Sequence, residues 1–436
     1  MARTPEQNNA IITGSIPRQL LLFFFPIWLG TMFQQLYNTV DTLIVGNFVG
    51  TQALAAVGAT SSFVQLLVGL FVGLCSGAGV IIAQSFGAGD HDEVNRQVHT
   101  ALALAIAGGA ALTVIGLLIS RPVLRLMQTP DEIVGMASEY LQIYFLGMIP
   151  QMIYNMGTNI LRAVGDSKRP LYFLIVASIV NIVLDIVLVA VIPLGVAGAA
   201  IATVASQVVS AVLTVRCIHG SQGMPWHLQL KNIRIERSVL LAICRIGLPG
   251  AAQSALYSIS NMTIQSAING FGTVAVAAWS VYGKIDFLFW MTVSSFGIAV
   301  TTFAGQNFGA RQYDRMKRCT RVGLGMCLGT IIALSALLFI FRYQLLMFFT
   351  GDAEVVNIGA QFYLVLAPSY FTFVFIEILS GAIRGAVEAL QPMLITCIGV
   401  CGLRVVWILL VVPYWHTMQM VAMNYPVSWV ITAVIF

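Results

Sequence analysis

Four carboxylates of this 436-residue chain fall inside or at the edge of long apolar runs: Asp41, Asp185, Asp286 and Glu377. A carboxylate at a bilayer centre costs about 2.5–3.5 kcal/mol even on a lenient scale, so each needs a reason to be there. Asp41 closes a polar stripe. Thr31, Gln34, Asn38 and Asp41 follow i, i+3, i+7, i+10 spacing and share one helix face. Asn181 and Asp185 stand four residues apart on another run. At a helical rise of 1.5 Å per residue, Asp41 lies about 9 Å from the outer end of its run near Asn47, and Asp185 about 12 Å from Pro193. Asp41, Asn181 and Asp185 are therefore expected to cluster at similar depth, with Thr203 adding a hydroxyl. Two carboxylates this close in a low dielectric cannot both stay charged cheaply. Such a cluster would hold a proton or, with the amide and hydroxyl oxygens, Na⁺. The structural alternative is a hydrogen-bonded pair that locks two helices.

The elements that must position these groups follow from composition. Hydrophobic residues make up 58% of the chain and charged residues 9%, against about 25% charged in an ordinary globular protein. Mean hydropathy is +0.88. A water-facing shell cannot be built from so few charges, which excludes a cytosolic enzyme, a nucleic-acid-binding domain and a disordered chain. An all-α polytopic membrane protein remains. Twelve runs are long enough to span: 18–46, 53–83, 98–120, 137–161, 170–192, 195–216, 239–268, 276–305, 321–341, 356–383, 392–413 and 417–436. Pro26, Pro150, Pro249 and Pro368 within or beside them are expected to kink helices. The polar start, Met1 to Pro17, has no cleavage site after an apolar stretch, so the first run reads as a retained span. One side of the membrane carries 17 of the 22 Lys and Arg, among them Arg3, Arg96, Arg162, Lys168, Arg234 and Arg315. The positive-inside rule then places both termini and the loop 217–238 in the cytoplasm. The seven cysteines, an odd number in apolar or basic surroundings, read as core residues rather than disulfides or a metal centre.

The chain also resembles itself. Asn47–Gly58 (NFVGTQALAAVG) and Asn269–Ser280 (NGFGTVAVAAWS) share six of twelve residues at an offset of 222. Gln84–Arg96 and Gln306–Arg318 share six of thirteen at the same offset, and Arg162 and Pro170 pair with Arg384 and Pro392. Chance gives about one identity per window. Two six-span halves, 1–216 and 239–436, are thus joined by the cytoplasmic loop 217–238. Six is even, so the repeats are parallel, related by a pseudo-twofold axis along the membrane normal. That is the plan of a rocking secondary transporter with a central cavity; a duplicated scaffold without transport is the alternative. The acidic cluster is not duplicated: the counterparts of Asp41, Asn181 and Asp185 are Thr263, Leu403 and Trp407.

Other polar groups are candidates for a cavity. The fourth span carries Gln151, Asn155, Asn159 and Arg162 on one face, and its counterpart carries Phe373, Glu377, Gly381 and Arg384. Glu377 thus replaces Asn155. It would attract a cationic substrate or else pair with Arg404. Lys284 and Asp286 are expected near the outer end of the eighth span, touching each other or headgroups. Gln34, Tyr37, Asn38, Asn155, Gln253, Tyr257 and Glu377 are the substrate-contact candidates. Tyr154, Trp279, Trp290, Tyr425 and Trp429 would suit aromatic cations or simply pack and anchor. Gly69, Gly73 and Gly77 at four-residue spacing predict close helix packing. With no Walker A segment, HExxH or nucleophile elbow in the chain, transport energy would come from an ion gradient, without a cofactor.

These motifs together resemble the multidrug and toxic compound extrusion (MATE) family, particularly its DinF- and MepA-like bacterial branch. The resemblance is carried by Pro26 with Asp41, AQSFGA at 83–88, GQNFGA at 305–310, RAVGDSKRP at 162–170, NIVLD at 181–185, VAGAAIAT at 196–203 and KIDFLF at 284–289. It implies a V of two six-helix lobes around a cavity, and antiport of H⁺ or Na⁺ against small amphiphilic, often cationic compounds. It places the coupling site on Asp41, Asn181, Asp185 and Thr203. Some branches use an acidic residue on the tenth span, where this chain has Phe373; no role passes to Glu377. A bacterial inner-membrane monomer contacting lipid and no nucleic acid is expected. Competing readings are a lipid-linked saccharide flippase, which should show a more basic cavity than Arg404 and Lys284 provide, and an ion channel, which should show a repeated filter motif.

Overall fold

The structure, a computed structural model, describes residues 9–386 and 388–436, with the backbone alone at Ser62; Arg3 of the basic set lies outside the described residues. The first half consists of α1 (Ala10–Thr13), α2 (Ile16–Phe48), α3 (Thr51–Ala88), α4 (His91–Leu126), α5 (Asp131–Leu146), α6 (Met148–Ala163), α7 (Lys168–Asp185) and α8 (Gly195–His219). The second consists of α9 (Arg237–Asn269), α10 (Thr273–Gly309), α11 (Tyr313–Ile340), α12 (Arg342–Met347), α13 (Ala353–Leu366), α14 (Tyr370–Ala386), α15 (Leu390–Thr396), α16 (Leu403–Leu410) and α17 (Met418–Ile435).

The offset of 222 reappears in these boundaries. The helix pairs α3 and α10, α4 and α11, α5 and α13, α6 and α14, and α7 and α15 each start 222 residues apart. Turns repeat with them. Gly50 and Gly272 precede α3 and α10 with φ of 111° and 92°. Gly89 and Arg311 precede α4 and α11 with φ of 75° and 58°.

Among the described residues, eleven helices are long and apolar enough to cross a membrane. The remaining span is α5 with α6, two 16-residue helices broken at Gly147. Its counterpart, α13 with α14, is broken at the same place by a 3₁₀ turn, Ala367–Ser369. Gly147 with Pro150, in the first turn of α6 where its missing N–H costs nothing, accounts for the first break, and Pro368, in the turn itself, for the second. Pro26 and Pro249 lie inside α2 and α9. The chain is therefore an all-α membrane protein of two parallel six-span repeats.

The chain divides into two compact units, Leu22–Ala251 and Met1–Leu21 with Ala252–Phe436. In the first unit α4 packs on α6, α7 on α8, and α3 on α6. Two of the three predicted packing glycines do that work. A Cβ at Gly77 would come within 2.6 Å of the Gly247 nitrogen of α9, and one at Gly73 would meet the Ala251 backbone, whereas Gly69 has open space. The segment after α8 is strapped to α4. Asn95 Nδ2 donates to the carbonyl oxygens of Pro225 (3.3 Å) and His227 (3.0 Å), and the Gln229 N–H donates to His99 Nε2 at 3.0 Å. Outside the membrane, Arg96 and Arg234 contact Glu236 at 2.6 and 2.9 Å and hold its carboxyl below the usual range. In the second unit α10 packs most extensively on α14 and α11. Asn9 Nδ2 donates to Gln306 Oε1 at 3.0 Å, and Arg315 donates to the carbonyl oxygen of Ile11 at 3.0 Å, fixing α1 on this unit.

The two interhelix glycines make a paired test. Gly50→Ala and Gly272→Ala each force an L-residue into a glycine-only backbone region and should lower stability by about 1–3 kcal/mol. Gly58→Ala lies inside α3 with nothing within 4 Å of the new methyl. It should leave stability unchanged or raise it by about 0.5–1 kcal/mol. Thermal unfolding in detergent compares the three; equal melting of all of them would refute the positive-φ assignment.

Candidate functional site

Asp41 lies about two turns before the C-terminal end of α2, where Ile44 and Val45 pack on Ala53, Val189, Val196 and Ala199. Asp185 is the last residue of α7. The helix continues as one π turn, Ile186–Val191, of the kind that often marks functional positions. Asp185 is fully buried and Asn181, one turn earlier, is 1% exposed. The Asp41 and Asp185 carboxyls stand close enough to interact electrostatically. A direct contact between them closes only when one of the two carries a proton.

The surroundings supply few partners. Asp41 Oδ1, both oxygens of Asp185 and both head atoms of Asn181 are buried and meet no protein hydrogen-bond partner. Polar atoms in that condition are expensive in any protein interior and more so in hydrocarbon. Thr203, the fourth expected member, stands on α8 with its hydroxyl donating to the carbonyl of Ala199 at 3.0 Å.

Two tyrosines that the sequence did not single out, Tyr140 and Tyr144, belong to the same region. Tyr140 is within electrostatic reach of Asp41 and Asp185, and the candidate Tyr37 within reach of Asp41, Tyr144 and Tyr154. Tyr140 and Tyr144 stack at 6.1 Å. Tyr144 donates to Gln151 Oε1 at 3.2 Å, which also receives Gln207 Nε2 at 3.3 Å. The i, i+4 spacing of Tyr140 and Tyr144 was a signal for a shared face, but nothing in it pointed to Asp41. Of the substrate-contact candidates, Gln34, Tyr37, Asn38 and Asn155 belong to this unit. The Asn155 carbonyl accepts from Asn159 Nδ2 at 2.9 Å.

Gln253, Tyr257 and Glu377 belong to the other unit. Glu377 lies on α14 against Gly297 of α10, where a Cβ would stand 2.5 Å from its Oε1. The expected pairing of Glu377 with Arg404 is not among the ion pairs of the described residues. The expectation for Lys284 and Asp286 needs correction. Asp286 sits about 20 Å below the start of α10 and is 9% exposed. Its carboxylate accepts from Tyr370 Oη and from Trp290 Nε1 at 2.7 Å, and Tyr282 meets Tyr370 at 2.7 Å. Lys284, two residues away, points elsewhere and lies 5.7 Å from the Phe349 ring. The helix period separates the two side chains by about 200°. Trp279, Trp290, Tyr425 and Trp429 belong to one packed aromatic network with Tyr282, Phe289, Tyr370 and Phe373. Cys397 and Cys401 are buried free thiols.

Two buried aspartates thus stand in opposite conditions. Asp286→Asn replaces an acceptor by a donor facing Tyr370 or Trp290 and should cost about 1–3 kcal/mol of stability. Asp185→Asn breaks no protein-donated hydrogen bond and removes a charge facing Asp41. It should leave stability within about 1 kcal/mol of wild type or raise it. Melting curves of the two variants decide; equal losses would make Asp185 a structural group.

The profile of the MatE family matches residues 26–187 and again 249–410, one match in each repeat. The chain is 31% identical over 399 residues to the probable multidrug resistance protein YoeA of Bacillus subtilis, covering 90% of this chain and 86% of that one. It is 24% identical over 406 residues to an FAD transporter of Shewanella oneidensis, covering 91% and 88%. Its fold is similar to that of a MOP superfamily transporter from Pyrococcus furiosus, with a TM-score of 0.91 at 23% identity over 98% of this chain and 96% of that one. A family match in both repeats, on a scaffold of two six-span halves, leaves one assignment: the chain belongs to the MatE family, multi-pass membrane transporters and not enzymes.

Proposed function

We propose that this protein is a secondary antiporter that exports amphiphilic, cationic drugs or toxic compounds in exchange for H⁺ or Na⁺. It would act by alternating access, as a monomer in the bacterial inner membrane with both termini in the cytoplasm. The name of its relative YoeA supports multidrug export. The observation that carries the coupling is the cluster of Asp41, Asn181 and Asp185, whose five buried polar atoms meet no protein partner. A proton closes the contact between the two carboxyls. Na⁺ would instead take carboxylate, amide and Thr203 oxygens as ligands, the hard-oxygen set that such cations prefer.

A coupling ion moves a conformational equilibrium only by binding one state better than the other. Occupation of the cluster would favour the state in which Asp41 and Asp185 are buried together. Loss of the ion would restore like-charge repulsion there and favour a state that hydrates them.

Proteoliposomes loaded with a fluorescent dye cation test the proposal. A pH gradient and a Na⁺ gradient are imposed separately. One of them should drive export, and Asp41→Asn and Asp185→Asn should each lower gradient-driven export about 5–150-fold, the range of a typical coupling energy. Export that ignores both gradients, or variants that export normally, would overturn the coupling assignment and favour a flippase or channel.

A further inference from the structure

Arg404 is the group for which the fold provides no charge. It lies at the start of α16, is 1% exposed, and forms no ion pair among those of the described residues. Its guanidinium carbon sits 4.1 Å from the Tyr425 ring centroid and 5.8 Å from that of Trp429. One nitrogen, Nε, donates to Ser428 Oγ at 3.4 Å. Nη2 is buried without an acceptor, and so is the indole N–H of Trp429, one of the two rings it contacts. Glu377, the acid expected to pair with it, forms no ion pair with Arg404, and Asp286 is held by Tyr370 and Trp290.

Two buried donors without acceptors, one of them cationic, form the complement of the acidic cluster. Across the repeat Arg404 aligns with Ile182, one residue beyond Leu403, the counterpart of Asn181. Arg404 and Asp185 each lie six residues, about 9 Å, from the outer end of their span. Aromatic faces hold a guanidinium in place without consuming its N–H groups, which leaves them directed at a ligand. A guanidinium fork is matched to a carboxylate, and a neighbouring indole N–H can serve the same oxygen pair.

We propose that Arg404 and Trp429 form a binding site for an anionic oxygen group, a carboxylate on the exported solute, so that the preferred substrates are zwitterionic amphiphiles and not simple cations. This deepens the export reading and rests on it, but the site itself is read by binding alone. One guanidinium suits a single carboxylate and not the pyrophosphate of a lipid-linked sugar.

Purified protein in detergent is titrated into tetramethylrhodamine, which carries a free carboxylate, and into its methyl ester, with fluorescence anisotropy as the readout. Wild type should bind the acid more tightly than the ester by roughly tenfold, the scale of one charge-assisted hydrogen bond. Arg404→Gln should abolish that preference while keeping ester binding, and Arg404→Lys should keep part of it. Trp429→Phe removes the N–H together with the five-membered ring, keeps an aromatic face in the network, and should reduce the preference. It keeps the test valid if Arg404→Gln fails to fold. Absence of a preference in wild type, or an undiminished one in Arg404→Gln and Trp429→Phe, overturns the site. The same titration with added phosphatidylglycerol separates the sources of the anion. Loss of the preference there would assign the site to a lipid headgroup and overturn the solute assignment. Binding preference without any export would instead sink the antiport reading and leave this site standing.

Discussion

Hydrocarbon offers no hydrogen-bond partner, so a polar atom inside a span must be paired within the protein, reach water, or await a ligand. That constraint sorts the buried polar groups of this chain. Asp286 is paired twice, by Tyr370 and Trp290, and is accounted for by the fold. Asp41, Asn181 and Asp185 are acceptor-rich and unpaired, and Arg404 with Trp429 is donor-rich and unpaired. A cluster that lacks partners cannot be explained by the stability it contributes, because leaving such groups unmatched is costly. The same reasoning removes Asp286 from the functional set, although its type and burial alone would have put it there.

The internal duplication makes this sorting sharper. Helix starts, turn glycines and the break in the fourth span recur at an offset of 222, so both halves solve the same packing problem. Packing needs that are common to both halves should be met by similar residues. Arg162 and Arg384 do recur, but the other buried charges do not: Asp41 and Asp185 align with Thr263 and Trp407, and Arg404 aligns with Ile182. A shared scaffold that carries unshared charges has diverged in chemistry while keeping its packing.

The spans, the repeat and the acidic cluster were legible in the sequence because each rests on a linear regularity. Apolar run length sets a span, a constant offset sets a repeat, and i, i+3, i+4 spacing sets a helix face. Depth arithmetic brought Asp41 and Asp185 together across distant spans because both are referred to the same membrane boundary. It failed for Asp286. Helix α10 starts at Thr273, earlier than the apolar run suggested, and the Tyr370 that binds Asp286 comes from α14 at no recognisable spacing. Tyr140 and Tyr144 were missed for the same reason: their face was visible, their neighbour was not. The Gly297–Glu377 contact likewise depends on how closely α10 and α14 approach, which no single helix encodes.

The acidic cluster also has the right energetic scale for the proposed antiport. Carrying a two-state equilibrium from 1:99 to 99:1 takes about 5.5 kcal/mol of differential binding. Burying two ions costs several kcal/mol each after relaxation, and more where no donors face them. A site already satisfied by protein donors would lose little when its ligand left, and so could bias little. On the proposed antiport, the absence of protein partners around Asp185 and Asn181 is what would make one proton or one Na⁺ sufficient. Asp286, held by Tyr370 and Trp290 whatever ion is present, lacks that leverage even though it is an equally buried acid. The coupling strength of such a transporter is set less by the number of carboxylates in its spans than by how few of them the fold has already paired.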